Sequence, residues 1–205
     1  MVKSLIKENF IFVLIIIVLC LLFSFFDFQI LESIDNYVFE LFRNNFSVEL
    51  KNLFNFMSNL FAVYLPIIIL IILLIYFKNK NIFKFQLFSL IFSFIMVIVL
   101  KGIIQRNRPI LDYSVFWDQY SFPSGHVFIS FVFYMFLVYV LFNNKKEFKK
   151  RIFYYFVASV IVLFVAVTRI YLNVHFFTDT LGSLLFGSLF LIILIRFSKM
   201  FKLRE

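Results

Sequence analysis

The chain has 205 residues, of which 63% are hydrophobic and 15% are charged. An ordinary soluble domain carries about 25% charged residues, so too little polar surface remains here to cover a soluble globule. Disorder is excluded as well, because it requires low hydrophobicity and high charge. One cysteine excludes a disulfide framework within the chain. The composition indicates an integral membrane protein, and a net charge of +9 in such a protein gives no reason to expect nucleic-acid binding.

Six apolar segments can each reach the roughly 20 residues that cross about 30 Å of hydrocarbon. They cover residues 9–26, 52–77, 85–100, 123–142, 152–168 and 180–195, and three of them run into a basic residue, namely Lys101, Arg169 and Arg196. Apolar residues occupy all faces of these segments, as expected for helices in lipid. The sequence predicts an all-α bundle of six transmembrane helices that forms one domain over residues 1–205.

The segment between the first two spans, residues 27–51, has a different pattern. Its apolar residues recur at helical spacing with charged residues between them, at Ile30, Ile34, Val38, Leu41 and Phe42. This spacing predicts an amphipathic helix along the outer membrane interface. We expect it to be a connector without a role beyond packing.

The loop charges predict the orientation in the cell membrane. Fourteen Lys and Arg residues lie on the side of both termini and of the second and fourth loops, against six on the other side. Cytoplasmic loops carry the excess of Lys and Arg, so we expect both termini to be cytoplasmic. Several unusual residues then share the extracytoplasmic face, namely Lys101, Arg106, Arg108, Arg169, His126, His175 and Asp179.

Each of these residues has a plainer explanation when it is considered alone. A terminal Lys or Arg can extend to the lipid headgroups, a histidine can be a packing residue, and Pro-Ser-Gly is a common turn and helix cap. Their coincidence on one face predicts an anion site. Fixed cations stabilise the charge of a transferring phosphoryl group, and Ser124 and Gly125 at a helix start offer further donors.

The two histidines suit two roles in phosphate ester chemistry, one as nucleophile and one as proton donor. His175 and Asp179 are four residues apart, so in a helix they can form a hydrogen bond that leaves the other ring nitrogen for attack. The sequence shows no carboxylate cluster beside these residues that would hold two metal ions. We therefore expect a mechanism that needs neither a metal nor another cofactor.

Three motifs carry a resemblance to a known family. They are Lys101-Gly-Ile-Ile-Gln-Arg-Asn-Arg108-Pro109, Pro123-Ser124-Gly125-His126 and Arg169-Ile-Tyr-Leu-Asn-Val-His175-Phe-Phe-Thr-Asp179. In order and spacing they resemble the three motifs of the type 2 phosphatidic acid phosphatase (PAP2) superfamily. The motif region covers residues 101–179, and the one departure is Thr168, where the family usually has serine.

The resemblance implies a role for each matching residue. His175 is the expected nucleophile, oriented by Asp179, and His126 is the expected general acid. Phosphate binding is expected from Lys101, Arg108 and Arg169, with help from Ser124 and Gly125. Arg106 lies outside the pattern, so the resemblance gives it no role, and we expect its replacement to leave most activity.

A membrane enzyme with this site is expected to take a lipid phosphate from the bilayer. Undecaprenyl diphosphate is the first choice, because the short chain and small loops resemble bacterial members that recycle the undecaprenyl carrier. Phosphatidylglycerophosphate, phosphatidic acid and lipid A phosphate are the alternatives. A transporter or binding protein for lipid phosphates is the non-enzymatic alternative, although the chain shows no internal repeat of the transporter kind.

Overall fold

The computed structural model describes residues 14, 18, 29–43, 47–77, 80–109, 119–142 and 148–200. Within these ranges all regular structure is helical, which confirms the all-α class. The helices are α1 (Gln29–Arg43), α2 (Val48–Asn59), α3 (Leu65–Tyr76), α4 (Lys80–Ile104), α5 (Gly125–Phe142), α6 (Phe148–Tyr171) and α7 (Phe177–Met200). A π-helical stretch, Leu60–Tyr64, joins α2 to α3, so that α2, the π-helix and α3 form one continuous helical segment.

Five helical segments in the described ranges are long and apolar enough to cross a membrane, and they contain the second to sixth predicted spans. Their bounds are Glu49–Tyr76, Lys80–Ile104, Gly125–Phe142, Phe148–Tyr171 and Phe177–Lys199. The predicted first span, residues 9–26, lies outside the described residues apart from Leu14 and Val18. The count of six therefore stays a prediction, whereas a multi-span helical architecture is established.

Helix α5 forms the centre of the bundle. It packs against α4, α6 and α7. Half of the residues in its apolar stretch are buried, a larger share than in any of the other four spans. One core cluster joins it to α4 and α7 through Leu100, Phe128 and Phe186, and a second joins it to α6 through Val127 and Val165. Helix α5 starts at Gly125, within the Pro-Ser-Gly-His motif. This packing therefore fixes the position of the motif between three neighbouring helices.

Helix α1 forms where the apolar spacing predicts it, but it contacts the bundle through a polar residue. Ile30 and Leu41 of its apolar stripe are exposed, whereas Asp35 is only 2% exposed. The helix packs against α6 and α7. A carboxylate is rarely buried unless it has a partner. The contacts that Asp35 makes with the bundle are described below.

Candidate active site

Three basic side chains are buried at one end of the bundle. Lys101 lies in the last turn of α4, Arg169 in the last turn of α6 and Arg108 in the loop after α4, and each is 5–6% exposed. Lys101 donates a hydrogen bond to the carbonyl of Tyr120, and Arg108 donates one to the carbonyl of Val174 at 2.8 Å. The loops before α5 and α7 are thus tied to the basic residues in the last turn of α4 and in the loop after it.

Both cation-bearing helices end in the same way, with a residue of left-handed conformation. Gln105 (φ 52°) follows α4, and its N–H bonds the carbonyl of Lys101 at 3.0 Å. Asn173 (φ 54°) follows α6, where the N–H of Val174 bonds the carbonyl of Arg169 at 3.3 Å. Such caps satisfy the last carbonyls of a helix and reverse the chain. The turn at Asn173 keeps the chain at this end of the bundle, so that His175 lies at the same end as Arg169.

His175 lies in the turn between α6 and α7, and Asp179 lies in the first turn of α7. The pair therefore does not share a helix, the geometry in which the sequence would allow their hydrogen bond, but the two side chains do meet. Nδ1 of His175 is 3.6 Å from Oδ2 of Asp179, and both residues are buried. That distance is slightly longer than a hydrogen bond, as is common for catalytic pairs without substrate. The pair leaves Nε2 as the ring nitrogen that faces away from the carboxylate.

The Pro-Ser-Gly-His motif forms the start of α5. The carbonyl of Ser124 accepts the N–H of Phe128 at 2.9 Å, which places Ser124 at the N-cap position. Its hydroxyl is fully buried and has no hydrogen-bond partner among the described residues. A buried hydroxyl without a partner at a helix N-terminus is suited to an anionic ligand. Gly125 allows close packing, because a β-carbon there would approach Val97 to 3.3 Å.

Two residues of the second span, Ser58 and Asn59, contact the site although no motif includes them. Oδ1 of Asn59 is 3.0 Å from Nε2 of His126, and Arg169 donates a hydrogen bond to the hydroxyl of Ser58 at 3.3 Å. Both residues immediately precede the π-helical stretch, a distortion that is frequent at functional sites. A consecutive Ser-Asn pair within an apolar span was the available sequence signal.

Arg106 also lies in the site, at the centre of a polar network. It bonds Asp179 at 2.6 Å and Asp35 at 2.7 Å, and its guanidinium lies 4.1 Å from the ring centroid of Phe176. The sequence analysis assigned no role to Arg106, and its place in this network is a finding of the structure. The motif pattern could not reveal this contact, because Asp35 is 71 residues away in the chain.

All eight residues that the sequence singled out lie at this end of the bundle. His126 is within electrostatic reach of Lys101, Arg108, Arg169 and His175. The hydroxyl of Thr168, the one departure from the family motif, bonds the carbonyl of Val165 within α6 at 2.7 Å. Threonine can therefore replace serine there without loss of that bond. Asp35, Ser58, Asn59 and Arg106 are additions that the structure makes.

Two cavities meet at His175. One, of about 580 Å³, is mostly apolar and reaches Lys101, Gly125 and His126. The other, of about 520 Å³, has a larger polar share in its lining and extends from Arg108 under α1. A reacting group beside His175 is thus accessible from a mostly apolar side and from a more polar side.

The packing before α5 predicts a sensitive glycine in α7. A β-carbon at Gly182 would lie 2.2 Å from two ring carbons of Phe122, which is buried beside the Pro-Ser-Gly-His motif. We expect Gly182→Ala to destabilise the protein by about 1–3 kcal/mol through overpacking, and to reduce activity by displacing the motif. Gly102→Ala is the matched control, because no atom lies within 4 Å of a β-carbon there. Thermal unfolding in detergent measures both, and equal midpoints would contradict the packing argument.

Comparison with known families is decisive at this point. The family model described as the PAP2 superfamily matches residues 82–202, which is more than half of the chain. This chain belongs to the PAP2 superfamily. Membership agrees with the resemblance of the three motifs, all of which lie within the matched residues. Together with the five apolar spans, it establishes a multi-pass membrane protein of this superfamily.

One curated protein and one solved structure are similar to this PAP2 member. Phosphatidylglycerophosphatase B of Bacillus subtilis (strain 168) is 38% identical over 94 residues, which are 44% of this chain and 45% of that protein. The matched part thus spans less than half of that relative's length. The crystal structure of a transmembrane PAP2 type phosphatidylglycerolphosphate phosphatase from Bacillus subtilis has a TM-score of 0.70, with 94% of this chain and 98% of that chain covered. At 22% identity, this likeness shows a shared fold.

Proposed function

We propose that this protein is a membrane lipid phosphatase that works through a phosphohistidine intermediate. The observation that carries the proposal is the burial of His175 beside Asp179, at the same end of the bundle as three basic side chains. Buried cations stabilise the charge of a transferring phosphoryl group without reorganisation at the moment of reaction. Lys101, Arg108 and Arg169 would hold the non-bridging oxygens, with the hydroxyl of Ser124 and the N-terminus of α5 as further donors.

In the first step, Nε2 of His175 forms a bond to phosphorus while the bond from phosphorus to the lipid oxygen breaks. His126 gives a proton to that departing oxygen. Water then attacks the phosphohistidine, His126 takes up a proton from this water, and the bond to His175 breaks to release inorganic phosphate. Asp179 stabilises the positive charge that develops on His175.

Asn59 supports the choice of the proton-transferring atom of His126. Its Nδ2 donates to the carbonyl of Asn55 at 2.9 Å, which leaves Oδ1 to accept a hydrogen bond from Nε2 of His126. With Nε2 bonded in this way, Nδ1 is the nitrogen that exchanges a proton with substrate.

The apolar cavity supports a lipid as substrate. It runs along α4 from Leu90 to Lys101, about 16 Å of helix, and is bounded on the other side by Ala62–Ile67 of the second span. Ile91, Phe94 and Ile98 along it are 44–58% exposed, so the cavity opens sideways to the bilayer. An acyl chain can lie in it while the phosphate reaches Lys101, His126 and His175, which also line it.

Among lipid phosphates, we infer that phosphatidylglycerophosphate is the best candidate, because the similar Bacillus subtilis protein is a phosphatidylglycerophosphatase. Undecaprenyl diphosphate, which the short loops favour, is the second candidate.

Phosphate release from purified protein in detergent tests the proposal. The panel contains phosphatidylglycerophosphate, undecaprenyl diphosphate, phosphatidic acid and lipid A, each with and without EDTA. We expect the highest kcat/KM on phosphatidylglycerophosphate, no effect of EDTA because the cations belong to the protein, and inhibition by orthovanadate. EDTA inhibition that Mg²⁺ reverses would exclude the metal-free mechanism. Binding of the panel lipids without turnover would favour a transporter or binding protein.

We also propose that the site faces the extracytoplasmic side, on the basis of the loop charges. Cys20 is the single cysteine, so a Cys20→Ser background allows one new cysteine to be placed within residues 111–118, between the first two motifs. We expect this cysteine to react with an impermeant maleimide in intact cells, or in spheroplasts if an outer membrane is present. A cysteine placed within residues 145–150 should react only after lysis. The reverse pattern would invert the topology.

A further inference from the structure

We propose that Arg106, held by Asp35 of α1, is a positioning residue that orients Asp179 and, through it, the nucleophile His175. This inference rests on the phosphatase function proposed above. It assigns a role to a residue outside the matching positions of the family motifs and to a helix that lies far from the motifs in sequence.

The two oxygens of Asp179 have different partners. Oδ1 accepts a hydrogen bond from the guanidinium of Arg106 at 2.6 Å. Oδ2 accepts the N–H of Phe176 at 2.9 Å and is the oxygen nearest to Nδ1 of His175. Arg106 therefore fixes the rotation of the carboxylate, so that the correct oxygen faces the imidazole. It also supplies the counter-charge that a fully buried carboxylate requires.

Arg106 is itself fixed from several directions. Its second terminal nitrogen bonds Oδ2 of Asp35 at 2.7 Å, and its backbone carbonyl accepts the N–H of Ser121 at 2.7 Å. The ring of Phe176 covers the guanidinium at 4.1 Å. A planar, forked cation can bond two carboxylates at once, whereas an ammonium cannot reproduce that geometry. The arrangement requires an arginine at position 106.

Asp35 connects this arrangement to the start of α7. It accepts the backbone N–H of Thr178 at 2.9 Å and the hydroxyl of Thr178 at 2.7 Å. Thr178 precedes Asp179, so one carboxylate of α1 holds both Arg106 and the backbone next to the orienting carboxylate. A negative side chain is also favourable at the N-terminus of a helix. Helix α1 thus contributes to the geometry of the nucleophile without reaching the phosphoryl group.

The test is a double-mutant cycle between Arg106 and Asp179. We expect Arg106→Met to lower kcat on the order of 10²-fold with little change in KM, because misplacing a reacting group costs about that much. In an Asp179→Asn background, where orientation is already lost, the same change should cost less than about threefold. Arg106→Lys should recover only part of the loss. Independent, additive losses in the two backgrounds would overturn the proposal.

Asp35→Asn gives a second cycle that preserves side-chain shape if Arg106→Met fails to fold. We expect Asp35→Asn to lower kcat by a smaller factor, on the order of tenfold. In an Asp179→Asn background the same change should have little effect on kcat. Arg151→Met is the matched control, because its guanidinium lies over the ring of Phe148 at the opposite end of α6. An unchanged kcat in both Asp35→Asn and Arg106→Met would exclude the role. If the wild-type protein releases no phosphate from any panel lipid, the proposed function fails instead.

Discussion

Replacing His175 with alanine should lower kcat on the order of 10⁴-fold or more while leaving the fold intact, as when a covalent nucleophile is deleted. His175 lies in a turn rather than within a helix, so truncation of its ring interrupts no helical hydrogen bond. The measurement is phosphate release by the wild type and the variant at matched concentration, together with thermal unfolding in detergent.

The chemistry of the intermediate separates His175 from His126. Brief incubation of the wild type with substrate labelled in its phosphate, followed by denaturation, should trap label on the protein in an acid-labile form. His175→Ala should trap none. His126→Ala should be strongly impaired on lipid substrates but should still form the labelled intermediate from p-nitrophenyl phosphate, whose leaving group needs no proton. Its hydrolysis of that intermediate should be slow, because His126 also takes the proton from the attacking water. Label retained by His175→Ala would exclude this residue as the nucleophile.

The spacing of the motifs was sufficient to predict that the motif residues meet at one end of the bundle, because each motif is local. Lys101, His126 and Arg169 lie at helix ends that point to one face once the spans are oriented. The apolar runs predicted five of the spans to within a few residues, since hydrophobic length dominates in a membrane.

The second layer of the site could not be predicted, because tertiary packing creates it. Asp35 meets Arg106 across 71 residues, and Asn59 meets His126 across 67. No local pattern encodes either pair. A polar residue of an amphipathic helix is expected in solvent, so the burial of Asp35 required the fold to be known. His175 and Asp179 do not lie in one helix for a local reason: the left-handed backbone of Asn173 ends α6 before the chain reaches His175.

These contacts suggest different roles for Arg106 and for the other basic residues of the site. Arg106 bonds two carboxylates, whereas Arg108 bonds a backbone carbonyl and Arg169 a serine hydroxyl. Arg106 is therefore largely neutralised by its two carboxylate partners, and we assign phosphate binding to Arg108 and Arg169. Loss of Arg106 should disturb the nucleophile, and loss of Arg169 should disturb phosphate binding and its transition state.

Arg169→Lys should reduce kcat on the order of 10²-fold even though the charge is kept, which is the scale of losing one fixed donor to a developing negative charge. The shorter ammonium cannot present two parallel N–H groups to phosphate oxygens, and it cannot keep the bond to Ser58 in the same geometry. Arg151→Lys, near the opposite end of α6, is the matched control and should behave as the wild type. Ser58→Ala should cause a smaller loss, because Arg169 keeps its guanidinium. The measurement is kcat for the three variants on one lipid substrate. If the kcat of Arg169→Lys equals that of the wild type, positive charge alone holds the phosphate and the requirement for a forked guanidinium is wrong.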